Sequence, residues 1–181
     1  MSKVLVISSS LRKISNSDLL CDEFIKGAEE SGNTVEKILL RGKHIEFCIG
    51  CLACQKTGKC VIKDDMAEIN QKLHDCDAVV FATPIYYYEM CGQLKTLLDR
   101  TNPLYDSGYR FRKVYMLSCA AEDEDYVPNR ATDGLCGWID CFDKAKLSGT
   151  VFVGGVNAPG EIKGNDKLKL AYELGRSVLE E

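Results

Sequence analysis

Lys3-Val4-Leu5-Val6-Ile7, followed by Ser8-Ser9-Ser10-Leu11-Arg12-Lys13-Ile14-Ser15-Asn16-Ser17, is the stretch on which the fold turns. The apolar run has no polar alternation and is rich in β-branched residues, as suits a strand buried on both faces. The loop after it holds five serines and an asparagine. Asp18 to Glu30 then shows helical spacing, with Leu20, Phe24 and Ala28 at i, i+4 and i+8, and Gly32 follows as a stop. A buried strand, a polar loop and an amphipathic helix make the opening unit of a parallel α/β sheet.

The same unit recurs along the chain. Thr34 to Leu40 reads as a second strand, Ala78 to Ala82 as a third ended by Pro84, Lys113 to Cys119 as a fourth and Thr150 to Gly155 as a fifth. Between them, helices are expected from a capping-box-like Asp65-Met66-Ala67-Glu68 to about His74, over Gln93 to Arg100 and over Leu135 to Lys146, with a last one over Asp166 to Leu179. Five strands joined by right-handed helical crossovers imply a doubly wound, flavodoxin-like sheet of order 2-1-3-4-5, helices on both faces, in three α/β/α layers. The six strands and GxGxxG turn of a Rossmann domain are not seen. No repeat or linker divides residues 1–181, so one domain is expected, carrying a cysteine-rich loop at 48–60. Strand-to-helix loops share the carboxyl edge of such a sheet, where ligands bind, so the first, third and fourth loops and the cysteine loop are expected to converge.

The chain of 181 residues suits one core that buries about 70% of its unfolded surface. A net charge of −4 without a basic tract makes it a poor partner for nucleic acid or an anionic membrane. The first apolar run is too short for a signal peptide and no stretch approaches the ~20 residues of a membrane span, so a cytoplasmic location is expected. Ten cysteines are present, and four lie within the 13 residues Cys48 to Cys60, where an even spread would place about 0.7. In a reducing compartment these are metal ligands or redox thiols rather than staples.

Three loops carry candidate chemistry. In the first, hydroxyls, helix-start N–H groups and the Arg12 fork suit a phosphate dianion. One helix cap explains one such residue, not six. In the second, Thr83-Pro84-Ile85-Tyr86-Tyr87-Tyr88-Glu89-Met90, three consecutive tyrosines cannot all face one core, and a wall for a flat ring is expected. In the third, Cys119-Ala120-Ala121 is small enough for backbone to approach a ligand, and the acidic run after it reads as a solvated face. His44 and His74 read as structural, and Trp138 and Phe142 as core or subunit contact.

Ser-Ser-x-Arg-x-x-Ser-Asn-Ser after the first strand, Thr-Pro-Ile-Tyr after the third and Gly-Gln-Leu-Lys-x-Leu-Leu-Asp-Arg at 92–100 together resemble the NADPH-dependent FMN reductase family. Gly160-Glu161-Ile162-Lys163-Gly164-Asn165 and Ala171-Tyr172-Glu173-Leu174-Gly175 extend the resemblance to nearly the whole chain. It departs at Ser9, where the common Gly-Ser-Pro-Arg opening has a glycine. The resemblance implies a flavodoxin-like fold. The FMN phosphate would be held by Ser8, Ser10, Arg12, Ser15, Asn16 and Ser17. Pro84, Ile85, Tyr86 and Tyr87 would line the ring, and the backbone of Cys119, Ala120 and Ala121 would face its other side. It also implies a homodimer or homotetramer.

Cys48-x2-Cys51-x2-Cys54-x5-Cys60 has the short spacings that wrap a cluster, but its x5 step and Val61 differ from the ferredoxin x3-Cys-Pro ending. Zinc usually takes two CxxC pairs set further apart. The motif resembles that of the iron–sulfur flavoproteins, a branch of the same family, which implies a 4Fe–4S cluster. Free or exchanging thiols and zinc remain alternatives. The remaining six cysteines read as small buried hydrophobes.

The expected function is an FMN-dependent oxidoreductase taking electrons from NAD(P)H, without a side-chain acid or base, and passing them to an acceptor, through a cluster if the cysteines hold one. The alternatives are a flavodoxin-like carrier without direct NAD(P)H activity and a zinc- or thiol-based redox module.

Overall fold

The computed structural model describes residues 1–179. Its sheet has the order β2-β1-β3-β5-β6, all parallel, from β1 (Lys3–Ser8), β2 (Thr34–Leu39), β3 (Ala78–Tyr86), β5 (Lys113–Cys119) and β6 (Lys146–Val153). A two-residue strand, β4 (Glu89–Met90), pairs antiparallel with the end of β3. Without β4 this is the expected flavodoxin-like 2-1-3-4-5 order.

Strand alternation divides the core in two. Leu5 and Ile7 of β1 and Phe81 of β3 point to the face covered by α3 (Met66–Asp75), α4 (Gly92–Asp99) and α5 (Asn129–Ile139). Val4, Val6 and Val80 point to the face covered by α1 (Asn16–Glu30) and α6 (Leu168–Arg176). Each such buried aliphatic or aromatic side chain contributes about 1.5–3 kcal/mol. The predicted face of the first helix, Leu20, Phe24 and Ala28, is fully buried. Trp138 and Phe142 pack against each other and Phe111, with Trp138 edge-on to Phe81, as a core reading requires.

Several boundaries differ from expectation. Pro84 does not end the third strand. Its neighbour β1 stops opposite Ala82, so beyond that point β3 is an edge on one side and a missing N–H is tolerated there. The fifth helix starts at Asn129 and ends at Ile139, its buried stripe being Ala131, Leu135 and Ile139. Phe142 lies in the following turn and reaches Trp138 from there, which mimicked helical spacing. The last strand begins at Lys146, opposite Lys113, and the last helix covers only Leu168–Arg176 before a 3-10 turn at Ser177–Leu179. A short helix, α2 (Ala53–Thr57), interrupts the cysteine loop.

The capping box at Asp65 does not form. The Asp65 carboxylate accepts the His44 N–H at 2.7 Å instead, and Asp64 accepts the Met66 N–H at 3.1 Å. The two acidic side chains tie the chain before the cysteine loop to the helix after it.

Candidate functional site

Three of the predicted loops meet at the carboxyl edge of the sheet. Ser9 leaves β1 with its N–H and hydroxyl both on the Ala82 carbonyl, at 2.9 and 2.8 Å. The Cys91 thiol donates to the Ser9 hydroxyl at 3.1 Å, which brings the first loop against the second. Cys119, at the end of β5, lies under the first loop. Burial pushes its thiol up to about 12, against the effect of a hydrogen bond from Ser17. Tyr88 of the second loop donates to Glu122 of the third at 2.9 Å and stacks on Tyr126.

The first loop presents a row of backbone donors. The backbone N–H groups of Ser10, Leu11, Lys13, Ile14 and Ser15 find no protein acceptor among the described residues. Below them α1 begins, with Ser15 as its N-cap, accepting the Asp18 N–H at 3.1 Å. A helix start and converging N–H groups make an anion site. Leu11 to Ile14 are exposed, and Ile14 holds a left-handed φ of 53°. Strain of that kind in a non-glycine residue clusters at ligand clamps.

The predicted phosphate residues fall into two groups. The side chains of Ser8 and Asn16 are consumed by the fold. Ser8 donates to the Asp18 carboxylate, and Asn16 spans a second strap, donating to the Ala158 carbonyl at 3.0 Å and accepting the Ile162 N–H at 3.2 Å. Glu161 shapes that strap by accepting the N–H groups of Asn157 and Ala158, which hold its carboxyl below the usual range. Ser10 and Ser15 remain at the loop, Ser17 is bonded to the Cys119 thiol, and exposed Arg12 rests on the Asn157 carbonyl at 2.7 Å. Arg41 went unnoticed in the sequence. It donates to the Arg12 carbonyl and lies 3.5 Å from Asp18. A cation just past the end of β2, the strand beside β1, was its only signal.

In the second loop the chain turns back as a two-residue hairpin between Tyr86 and Glu89. Its central residues, Tyr87 and Tyr88, both have positive φ, 52° and 65°, the backbone of a turn that usually takes Asn-Gly. Tyr87 is 98% exposed and Tyr86 is 47% exposed, so flat aromatic surface stands free beside the first loop. Thr83 fixes the hairpin base by accepting the Cys91 N–H at 3.1 Å. In the third loop the Ala120 N–H is taken by Val153, while that of Ala121 has no acceptor among the described residues.

Among the described residues the cysteine loop makes no hydrogen bond to the other three loops. Among the described residues its side-chain partners are at the far end of α4, which runs antiparallel to the strands and carries the chain back to where β5 begins. Cys48, Cys51, Cys54 and Cys60 line one recess of about 320 Å³, together with Asp99 and Asn102. Asn102 donates to Cys54 Sγ at 3.0 Å, and Arg100 to Cys60 Sγ at 3.5 Å. All ten cysteines are free thiols. Among the described residues, no group of three His, Cys, Asp or Glu side chains is arranged for a single metal ion. A larger cleft of about 940 Å³ shares Cys54, Cys60, Ile62 and Asn102 with the recess and extends along α3 to Tyr105. His44 and His74 pair with Glu46 and Asp75, as structural residues do.

Residues 2–125 match the NADPH-dependent FMN reductase family. The chain belongs to that family. It is therefore a flavin-dependent oxidoreductase related to the iron–sulfur flavoproteins. An iron-sulfur flavoprotein of Archaeoglobus fulgidus is 34% identical over 98% of this chain and 79% of its own length. One of Methanocaldococcus jannaschii is 40% identical over 56% of this chain, a match spanning 53% of that relative. The NAD(P)H:quinone oxidoreductase from Methanothermobacter marburgensis has the same fold, with a TM-score of 0.78 at 17% identity over 99% of this chain and 97% of its own. No helix among the described residues of this flavin oxidoreductase is long and apolar enough to cross a membrane.

Proposed function

We propose that the chain binds FMN at the carboxyl edge of its sheet, oxidises NAD(P)H there, and passes electrons to an acceptor through a 4Fe–4S cluster held by Cys48, Cys51, Cys54 and Cys60. The row of unpartnered N–H groups over the start of α1, beside exposed Tyr86 and Tyr87, carries the reading. It offers a phosphate and a flat ring what each needs within one loop cluster.

When bound, FMN would supply hydride acceptance from a reduced nicotinamide and one-electron transfer to an acceptor. The protein binds and orients. The backbone N–H groups of Ser10, Leu11, Lys13, Ile14 and Ser15, the hydroxyls of Ser10 and Ser15 and the Arg12 guanidinium would hold the phosphate, with Ser17 joining them on release of Cys119. Pro84 and Ile85 present backbone, and Tyr86 and Tyr87 aromatic surface, to one side of the ring, with Ala120 and Ala121 on the other. No side chain needs to act as acid or base. What supports the cluster reading is that the four thiols line one recess. Residues 1–181 then act as one domain, as a homodimer or homotetramer in the cytoplasm.

Titration of the apoprotein with FMN and with riboflavin, followed by anaerobic stopped-flow mixing with NADPH and NADH, tests the reading. FMN should bind more tightly than riboflavin, and its absorbance should bleach on mixing with a nicotinamide. Equal affinity for the two flavins removes the phosphate site. Slow bleaching with both nicotinamides leaves an electron carrier.

A further inference from the structure

Arg100 caps the end of α4, yet its side chain is only 1% exposed. Its guanidinium grips the fully buried Asp64 carboxylate with two bonds, at 2.7 and 3.0 Å. Nη1 also donates to the Glu46 carbonyl at 2.6 Å, and Asp64 accepts the Glu46 N–H at 2.9 Å. Asn70 anchors the Arg100 carbonyl from α3 at 3.1 Å. The guanidinium therefore has one position, pinned to both flanks of the cysteine loop, and from there Nη2 reaches Cys60 Sγ at 3.5 Å. Two residues on, Asn102 donates to Cys54 Sγ at 3.0 Å. The Arg100 Nε–H is buried and has no partner among the described residues.

Fixed charge and N–H bonds to the sulfurs are two of the terms that set the potential of a thiolate-held cluster. One-electron reduction adds a negative charge to a group already ringed by four thiolates; the buried Asp64 carboxylate offsets the Arg100 charge, so the N–H bonds to the sulfurs are what favours the reduced form. Lys56, Lys59 and Lys63 on the same loop are exposed, and solvent and salt screen them. Arg100 is neither exposed nor mobile.

We propose that Arg100 and Asn102 are positioning residues that raise the reduction potential of the iron–sulfur group, by holding two buried N–H donors against the sulfurs of Cys60 and Cys54. The inference rests on the cluster reading above. Its test is an anaerobic, mediator-equilibrated redox titration of the iron-reconstituted full chain and of Asn102→Leu and Arg100→Lys, with iron content and far-UV circular dichroism measured on each. Asn102→Leu keeps the branched heavy-atom shape and removes one donor. Arg100→Lys keeps charge and loses the fork that reaches both Asp64 and Cys60. Each midpoint should fall by about a tenfold change in the oxidised-to-reduced ratio, about 59 mV for a one-electron couple.

A fall of less than threefold, or a rise, in variants that keep iron and fold overturns the inference. So does loss of iron from both variants, since the pair would then retain ligands rather than tune them. Failure of the wild-type chain to take up iron overturns the cluster reading itself, a result distinct from iron-loaded variants with unchanged midpoints. If Arg100→Lys does not fold, Asn102→Leu alone decides.

Discussion

Gly27 of α1 lies directly against the Tyr172 carbonyl of α6: a Cβ at Gly27 would sit 2.0 Å from that oxygen. Gly175 of α6 is placed the same way, 2.0 Å from the Phe24 carbonyl of α1. Both obstacles are backbone, so neither can rotate aside. The two helices approach closely because each lacks a side chain where the other passes.

Gly27→Ala and Gly175→Ala should therefore each destabilise the fold by about 1–3 kcal/mol through overpacking. Gly137→Ala on α5 meets open space and should stabilise by about 0.5–1 kcal/mol, as Ala does over Gly in a helix interior. Urea midpoints give the signs, and thermal melting should move by about 2–4 °C per kcal/mol in a chain of this size. A neutral Gly27→Ala would mean that the helices do not pack this closely.

Arg12→Ala and Asn16→Ala should separate binding from folding. The loss of a charge-assisted bond to the phosphate, about 1.5–3 kcal/mol, weakens FMN binding about 10- to 150-fold and leaves riboflavin binding unchanged. Asn16→Ala leaves the Ile162 N–H buried without an acceptor, so it should cost about 1–3 kcal/mol of stability and weaken both flavins alike. Fluorescence titrations with FMN and riboflavin distinguish the two patterns.

The Asp64–Arg100 pair makes stability depend on pH. Burial alone would raise the Asp64 carboxyl, but hydrogen bonds from Arg100 and from the Glu46 and Met66 N–H groups overcome it and hold the carboxyl below the usual range. A depressed carboxylate contributes stability above its unfolded value, and that contribution is lost as pH falls through the folded value. Asp64→Asn leaves Arg100 buried and unpaired, so it should cost about 3–5 kcal/mol at pH 7. The deficit relative to wild type should shrink as both are taken below pH 4, the ordinary carboxylate range. Urea unfolding at pH 7 and pH 3 measures it, and an equal deficit at both rules the pair out as the source.

Thiol accessibility is graded along the chain. In cluster-free protein at pH 8, iodoacetamide should modify the exposed Cys48, Cys51 and Cys141 first. Cys21, Cys76, Cys91 and Cys119 are buried, and burial pushes the Cys76 and Cys119 thiols up to about 12. They should stay unmodified until the fold opens, as peptide mass spectrometry would show. Fast labelling of Cys119 would place the edge of β5 in solvent.

Much of the fold was legible because each strand is a short apolar run and each helix carries one apolar stripe. Where two signals overlapped, the reading slipped. Phe142 continued the spacing of Trp138 and so extended the fifth helix by several residues, although the ring contact is made from a turn. Pro84 reads as a strand end unless it is known that β1 has already stopped beside it. The serine loop announced itself by composition, but composition could not say which of its side chains were spent on the fold. Asn16 looked like a phosphate donor and is a strap, because its partners lie more than 140 residues away.

The sequence by itself determined the layers, the strand order and the two segments proposed to hold cofactors, since periodicity, loop chemistry and cysteine spacing are local properties of the chain. The meeting of the serine loop and the tyrosine hairpin at one edge was also legible, from the parallel topology; tertiary structure alone decided that Cys54 and Cys60 sit against Asn102 and Arg100 at the end of α4. The reason is geometric. A helix returning antiparallel to its strand carries the residues at its end away from the loop at its start, and which segments they then meet depends on contacts that no local pattern records.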